Sequence, residues 1–143
     1  MRTTILRAGV IFAIGAAMTA CGSDSTAPDA SIAGSYTATE FVTTGGSGQR
    51  NELLAGSTVT MVLNANGTTS GHLHVAASGS SPALDADMAG TWTRTGNVVD
   101  FTQAADTFVR DMAFTLETTG SKWVLIGDQG FSGTRVQLTL TQT

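Results

Sequence analysis

The chain has 143 residues, one cysteine, two prolines and 17 glycines, and its seven Lys and Arg against eleven Asp and Glu give a net charge of −4. A lone lysine, Lys122, and singly scattered arginines exclude the basic face that a phosphate backbone or an anionic lipid surface requires, so no nucleic-acid partner is expected. One cysteine excludes an internal disulfide, and the length suits one domain stabilised by packing and hydrogen bonding.

At the N-terminus, Arg2 and Arg7 form a positive segment ahead of an apolar stretch, Ala8 to Ala20, that is 13 residues long. That is too short to cross a bilayer core of about 30 Å as a helix. The stretch ends in Ala17-Met18-Thr19-Ala20-Cys21-Gly22. It resembles a bacterial lipoprotein signal peptide, with Met18 where the family's lipobox more often has Leu. The resemblance implies cleavage before Cys21, lipidation of Cys21 and attachment to a membrane through that lipid. Gly22, rather than Asp, after the cysteine implies the outer membrane, on its periplasmic face or at the cell surface. Residues 1–20 are thus read as signal peptide, 21–31 as lipidated cysteine and flexible linker, and 32–143 as the folded domain. The linker reading rests on its small, polar composition, which holds no apolar anchor.

From Ile32 onward the chain is rich in Thr, Val and Gly, and apolar residues recur with a period of two rather than 3.6. Eight strands are predicted, over residues 32–43, 57–63, 68–76, 86–95, 98–103, 112–118, 122–126 and 134–141. Val59, Met61 and Leu63, and likewise Val136, Leu138 and Leu140, alternate with Thr or Gln, which gives each strand one buried and one wet face. Asn64-Ala65-Asn66-Gly67, Thr95-Gly96-Asn97, Thr119-Gly120-Ser121 and Gly127-Asp128-Gln129-Gly130 supply turn residues between neighbours. Short links favour sequential antiparallel pairing. The fold class is therefore all-β, an eight-stranded up-and-down barrel in preference to a two-sheet sandwich, because closure removes the sheet edges. Polar segments 43–51 and 77–82 are read as loops.

Gly34-Ser35-Tyr36 in the first strand, Gly90-Thr91-Trp92-Thr93 in the fourth, and the run from Ser57 through Asn64-Ala65-Asn66-Gly67 to His72 resemble the lipocalin and avidin group of small barrels, the calycins. Tyr36 stands where that family usually has Trp. The resemblance implies a lipocalin-like barrel across residues 32–142, with Arg135 in the place of the lipocalin arginine that packs over the first-strand aromatic.

Candidate ligand-binding residues are Tyr36, Trp92 and Phe101, which alternation aims inward, and Arg110, whose guanidinium can grip a carboxylate at the barrel mouth. The competing reading makes the aromatics core packing. It makes Arg110 the partner of Asp106 on a helical turn that Asp106 caps, with Phe108 and Val109 plugging one end of the barrel. His72 and His74 share one strand face, but zinc needs three or four ligands. Asp85 and Asp87 would complete a set only if the chain folds back, so the two histidines are read as solvent-facing and no metal or other cofactor is expected. No nucleophile elbow, phosphate-binding loop or acid–base carboxylate pair in an apolar cleft is present, and no enzymatic activity is expected. Two functions remain. One is a membrane-anchored carrier of a small apolar molecule held in the barrel; the other is an envelope protein-interaction or inhibitor module with a filled core and binding loops at 43–51 and 77–87.

Overall fold

A computed structural model of the chain describes residues 29–143. The signal peptide, Cys21 and most of the linker fall outside the described residues. Asp29 caps a short 3-10 turn, Ala30–Ile32, by accepting from the Ser31 N–H at 2.9 Å, and Ile32 is fully buried. Ten strands follow: β1 Gly34–Gly45, β2 Gly48–Asn51, β3 Thr58–Leu63, β4 Thr68–Val75, β5 Leu84–Asp87, β6 Gly90–Thr95, β7 Val98–Gln103, β8 Phe114–Thr119, β9 Lys122–Phe131 and β10 Thr134–Gln142. One helical turn, α1, Phe108–Asp111, lies between β7 and β8. Among the described residues no helix is long and apolar enough to cross a membrane.

The sheet runs β10, β9, β8, β7, β6, β4, β3, β1, and β1 pairs back onto β10, closing an antiparallel barrel of eight strands. This architecture is consistent with a calycin-like fold. β5 and β6 keep a single register against β4, with His72 opposite Asp87 and Thr68 opposite Thr91. They are two halves of one barrel strand interrupted at Met88-Ala89, so the predicted strand 86–95 exists and begins two residues earlier. β2 folds back on the outer half of β1 as a hairpin arm, where the sequence suggested only a loop.

Closure fixes which side chains meet. A bulge at Thr39 shifts the β1–β10 register, so Tyr36 before it and Phe41 after it both point inward. Val59, Met61 and Leu63 of β3, Leu73 of β4, Trp92 of β6, Val99 and Phe101 of β7, Phe114 and Leu116 of β8, Leu125 of β9, and Val136, Leu138 and Leu140 of β10 join them in one continuous core. Two inward positions are glycine for a steric reason. A Cβ on Gly71 or Gly90 would stand 2.2 Å or 1.9 Å from the neighbouring strand's backbone oxygen, so the strongly bent strands approach there as only glycine allows.

Three local expectations are corrected. α1 is capped at Thr107, not Asp106, although the expected pairing of Asp106 with Arg110 forms at 2.5 Å. Residues 127–130 are strand rather than turn, because β9 stays paired with β10 as far as Phe131 opposite Thr134, and the reversal falls at Ser132-Gly133, both with positive φ. Arg135 lies opposite Thr44, far along β1 from Tyr36, and binds Asp128 at 2.7 Å and 2.5 Å. The arginine that does stand over an aromatic is Arg94, 6.0 Å from the Trp123 ring and ion-paired with Asp29.

The strand directions sort the connections into two ends. The N-terminal turn, the turns at 64–67, 96–97 and 120–121, and the C-terminus lie at one end. The hairpin at 46–47, the segments 52–57, 76–83 and 104–113, and the turn at 132–133 lie at the other. Arg94 and Trp123 hold the entering chain at the first end, through Asp29 and through a hydrogen bond of 3.0 Å from Trp123 Nε1 to the Ser31 carbonyl.

Candidate functional site

Tyr36 and Trp92 are each 1% exposed and Phe101 is 4% exposed, all within the continuous core. Trp92 and Phe101 are direct cross-strand partners, and Phe101 meets Phe114 edge-on at 5.5 Å. The polar tips of both amphipathic rings find partners within the protein. The Tyr36 hydroxyl donates to the Ile32 carbonyl at 2.6 Å, and Trp92 Nε1 donates to the Asn64 carbonyl at 3.0 Å. Burial pushes the Tyr36 phenol up to about 12. These three aromatics therefore fill the interior together with the aliphatic side chains around them.

Arg110 is not brought to them. It sits on α1 at the far end, bound to Asp111 at 2.8 Å and to Asp106 at 2.5 Å, and the bond from Asp111 holds its guanidinium more firmly charged. On the same turn Val109 is buried and Phe108 packs 5.5 Å from Phe41 and 6.4 Å from Phe131. α1 thus closes part of that end as a plug.

A cleft lies at the same end. Thr43, Gly45, Gly48, Arg50, Glu52, Val75 and Thr134 lie below a wall made by Ser78, Gly79, Ser80, Ser81 and Pro82, and together they bound a cleft of about 530 Å³. Thr43 and Gly45 continue the inward face of β1 beyond Phe41, as Val75 continues that of β4 beyond Leu73 and Thr134 that of β10. The cleft is therefore the barrel mouth above the packed core. The hairpin arm over residues 43–51 and the loop over 76–83 face each other across it; of the two binding loops expected at 43–51 and 77–87, the first is largely the β1–β2 hairpin and the second is loop only as far as Ala83, because residues 84–87 pair with β4 as β5.

Glu52 organises the mouth. It is 3% exposed, and its carboxylate accepts from Thr43 Oγ1 at 2.7 Å and Ser57 Oγ at 3.2 Å while Arg50 stands 3.4 Å away. Ser57 Oγ in turn accepts from the Ala76 N–H at 2.9 Å, and the Arg50 guanidinium donates to the Ala77 carbonyl at 3.2 Å. One buried carboxylate thus ties the hairpin arm, the 52–57 segment and the serine-rich loop together, which satisfies its own charge. Sequence reasoning did not single out Glu52, because its partners lie 5 and 9 residues away and converge only once the arm has folded back. The two exposed large hydrophobic residues among the described ones, Leu54 at 87% and Leu84 at 44%, also stand at this end.

A second polar cluster lies on the outer wall. His72 and His74 project from β4 directly opposite Asp87 and Asp85 of β5. His72 Nδ1 is 3.0 Å from Asp87 Oδ1, and His74 Nδ1 is 2.7 Å from Asp85 Oδ1. The chain does fold back to supply the two carboxylates. The mirrored His-x-His and Asp-x-Asp pattern was its signal, once strands 68–76 and 86–95 are taken as neighbours. Hydrogen bonding to Asp87 raises the His72 pKa, and hydrogen bonding to His74 lowers that of Asp85.

Comparison with family models, curated proteins and solved structures finds no match to this chain. The functional reading therefore rests on the mouth and the packed barrel beneath it.

Proposed function

We propose that this protein is an outer-membrane lipoprotein, anchored through Cys21, that acts without catalysis as a binding module for a protein partner in the cell envelope. The barrel serves as a rigid scaffold, and the mouth framed by residues 43–51 and 76–83 is the contact surface. The observation that carries this reading is the convergence of those two loops on one cleft, at the end of the barrel opposite the entry of the N-terminal chain. A domain tethered at one end directs the other away from the membrane. Loops on a rigid barrel suit recognition, and the exposed Leu54 and Leu84 at the same end supply apolar contacts to a polar, hydroxyl-bearing rim.

The test is photo-crosslinking in the host cell with the full chain, the reactive side chain replacing Ser80 at the mouth or Ser121 at the opposite end. The reading expects a discrete protein adduct from position 80, lost on Leu54→Asp, and none from position 121. Adducts from 121 alone, or from neither position, would overturn it.

A second reading, a small molecule inside the barrel that carries a hydrogen-bonding group as well as apolar surface, rests on one observation. Gln103 Oε1 and Thr107 Oγ1 are buried without a hydrogen-bond partner, and such groups call for an explanation. Native mass spectrometry of the full chain, gently extracted from its host, would reveal such an occupant as a discrete added mass. Its absence removes this reading.

A further inference from the structure

We propose that His72, His74 and Asp85 form a binding site for a transition-metal ion, of the zinc or copper class, on the outer wall of the barrel. The strand geometry supplies the convergence. Two histidines at positions i and i+2 share the outer face of β4, and β5 places Asp85 and Asp87 directly across from them. Asp85 Oδ1 is the meeting point, 2.7 Å from His74 Nδ1 and 3.4 Å from His72 Nε2. Two imidazole nitrogens with one carboxylate form a donor set that suits zinc or copper and not calcium or magnesium, which take oxygen ligands.

Asp87 supplies the outer support that metal-binding histidines generally have. Its carboxylate lies 3.0 Å from His72 Nδ1, so the Nδ1–H donates there and Nε2 is the nitrogen turned toward Asp85. A metal ion bound here takes the place of the protons that His74 Nδ1 and His72 Nε2 direct at Asp85, while the Asp87 bond to His72 Nδ1 is kept. On the other flank of β4, the β3 residues opposite His72 and His74 are Thr60 and Thr58, so no further charge faces the cluster from that strand.

His74 is in hydrogen-bond contact with Asp85 while His72 Nε2 stands 3.4 Å from the same oxygen, and among the described residues no group of three His, Cys, Asp or Glu side chains stands around a metal-sized point. Each histidine already stands near Asp85, and side-chain rotation must bring the two imidazoles together around it. Tetrahedral donors about 2.0 to 2.1 Å from zinc are about 3.3 Å apart. The 3.4 Å separation of His72 and Asp85 already has this size, and the 2.7 Å contact of His74 with Asp85 must open by a fraction of an ångström. The side chains of His72, His74 and Asp85 are 48%, 34% and 60% exposed, so rotation meets little packing. Three protein donors leave the fourth position to water.

The test is isothermal titration of the full chain in detergent, without a polyhistidine tag and after treatment with a chelator, using zinc chloride. The proposal expects one saturable site per chain and at least a tenfold weaker affinity for His74→Gln and for Asp85→Asn, with unchanged circular dichroism before zinc is added. Because the chain has only two histidines, their imidazole proton resonances should both shift with the same zinc dependence. No saturable binding up to millimolar zinc, or equal binding by wild type and both variants, would overturn the proposal.

Discussion

Arg50 and Ala77 stand on opposite sides of the barrel mouth and are joined by a hydrogen bond of 3.2 Å from the guanidinium to the backbone carbonyl. That bond and the Ser57 to Ala76 bond are the described hydrogen bonds that fasten the Ala76–Ala83 segment to the arm side of the mouth. Arg50→Ala should cost about 3 kcal/mol in urea unfolding, because it removes this bond and also the counter-charge of buried Glu52. It should also speed amide hydrogen exchange in residues 77–81 and weaken crosslinking from position 80. Unchanged exchange in that segment would mean that the clamp does not hold the loop.

Glu52 is the buried half of the same ion pair. Glu52→Ala leaves the hydroxyls of Thr43 and Ser57 without their acceptor and the half-buried Arg50 without its counter-charge. The expected loss is about 3 kcal/mol, the lower end of the range for breaking a buried pair on one side. Glu52→Gln, which keeps an acceptor oxygen, should recover part of it. Equilibrium urea unfolding of the two variants measures the difference.

Tyr36 is the only tyrosine, so an ultraviolet titration at alkaline pH reads it alone. Burial raises its phenol to about 12, above the ordinary value near 10. The neutral form is the one the fold prefers, so the stability it contributes is complete below about pH 10 and is lost as pH rises from 10 to 12. The phenolate band should appear near pH 12 in the folded protein and near pH 10 in denaturant. Equal midpoints in both conditions would contradict the burial of this ring.

Truncating the ring that spans the core should be costly without touching the mouth. Trp92→Ala removes the largest fully buried side chain and the bond to the Asn64 carbonyl. It should destabilise the domain by about 3 to 5 kcal/mol. Gly90→Ala on the same strand should also destabilise, by about 1 to 3 kcal/mol or more, because its Cβ would fall 1.9 Å from the Thr102 oxygen. Thermal unfolding of each variant is the check.

The parts of this fold that were legible in sequence are those in which local pattern and tertiary burial agree. Val59, Met61 and Leu63 alternate and are buried, and Gly67, Gly96 and Gly120 mark turns at which φ is positive. β2 was not legible, because Gly48-Gln49-Arg50-Asn51 carries no apolar alternation and becomes a strand only by pairing with β1. Gly127 and Gly130 suggested a turn, yet the β9–β10 ladder overrides their freedom and carries the strand through. Of the two mouth segments, 77–82 was recognisable as a loop, whereas 43–51 is mostly strand paired in a hairpin. Their convergence was not recognisable, since it depends on a buried glutamate whose partners sequence order does not reveal. The histidine and aspartate ladder became visible only with the strand register.

The most direct test of the central claim is hydrogen–deuterium exchange of the full chain, compared between native envelope membranes and purified protein in detergent. If the mouth is the contact surface, added protection in the membranes should be confined to residues 43–57 and 76–84. Protection instead at the turns 64–67, 96–97 and 120–121, or no difference between the two preparations, would contradict a mouth-directed binding module.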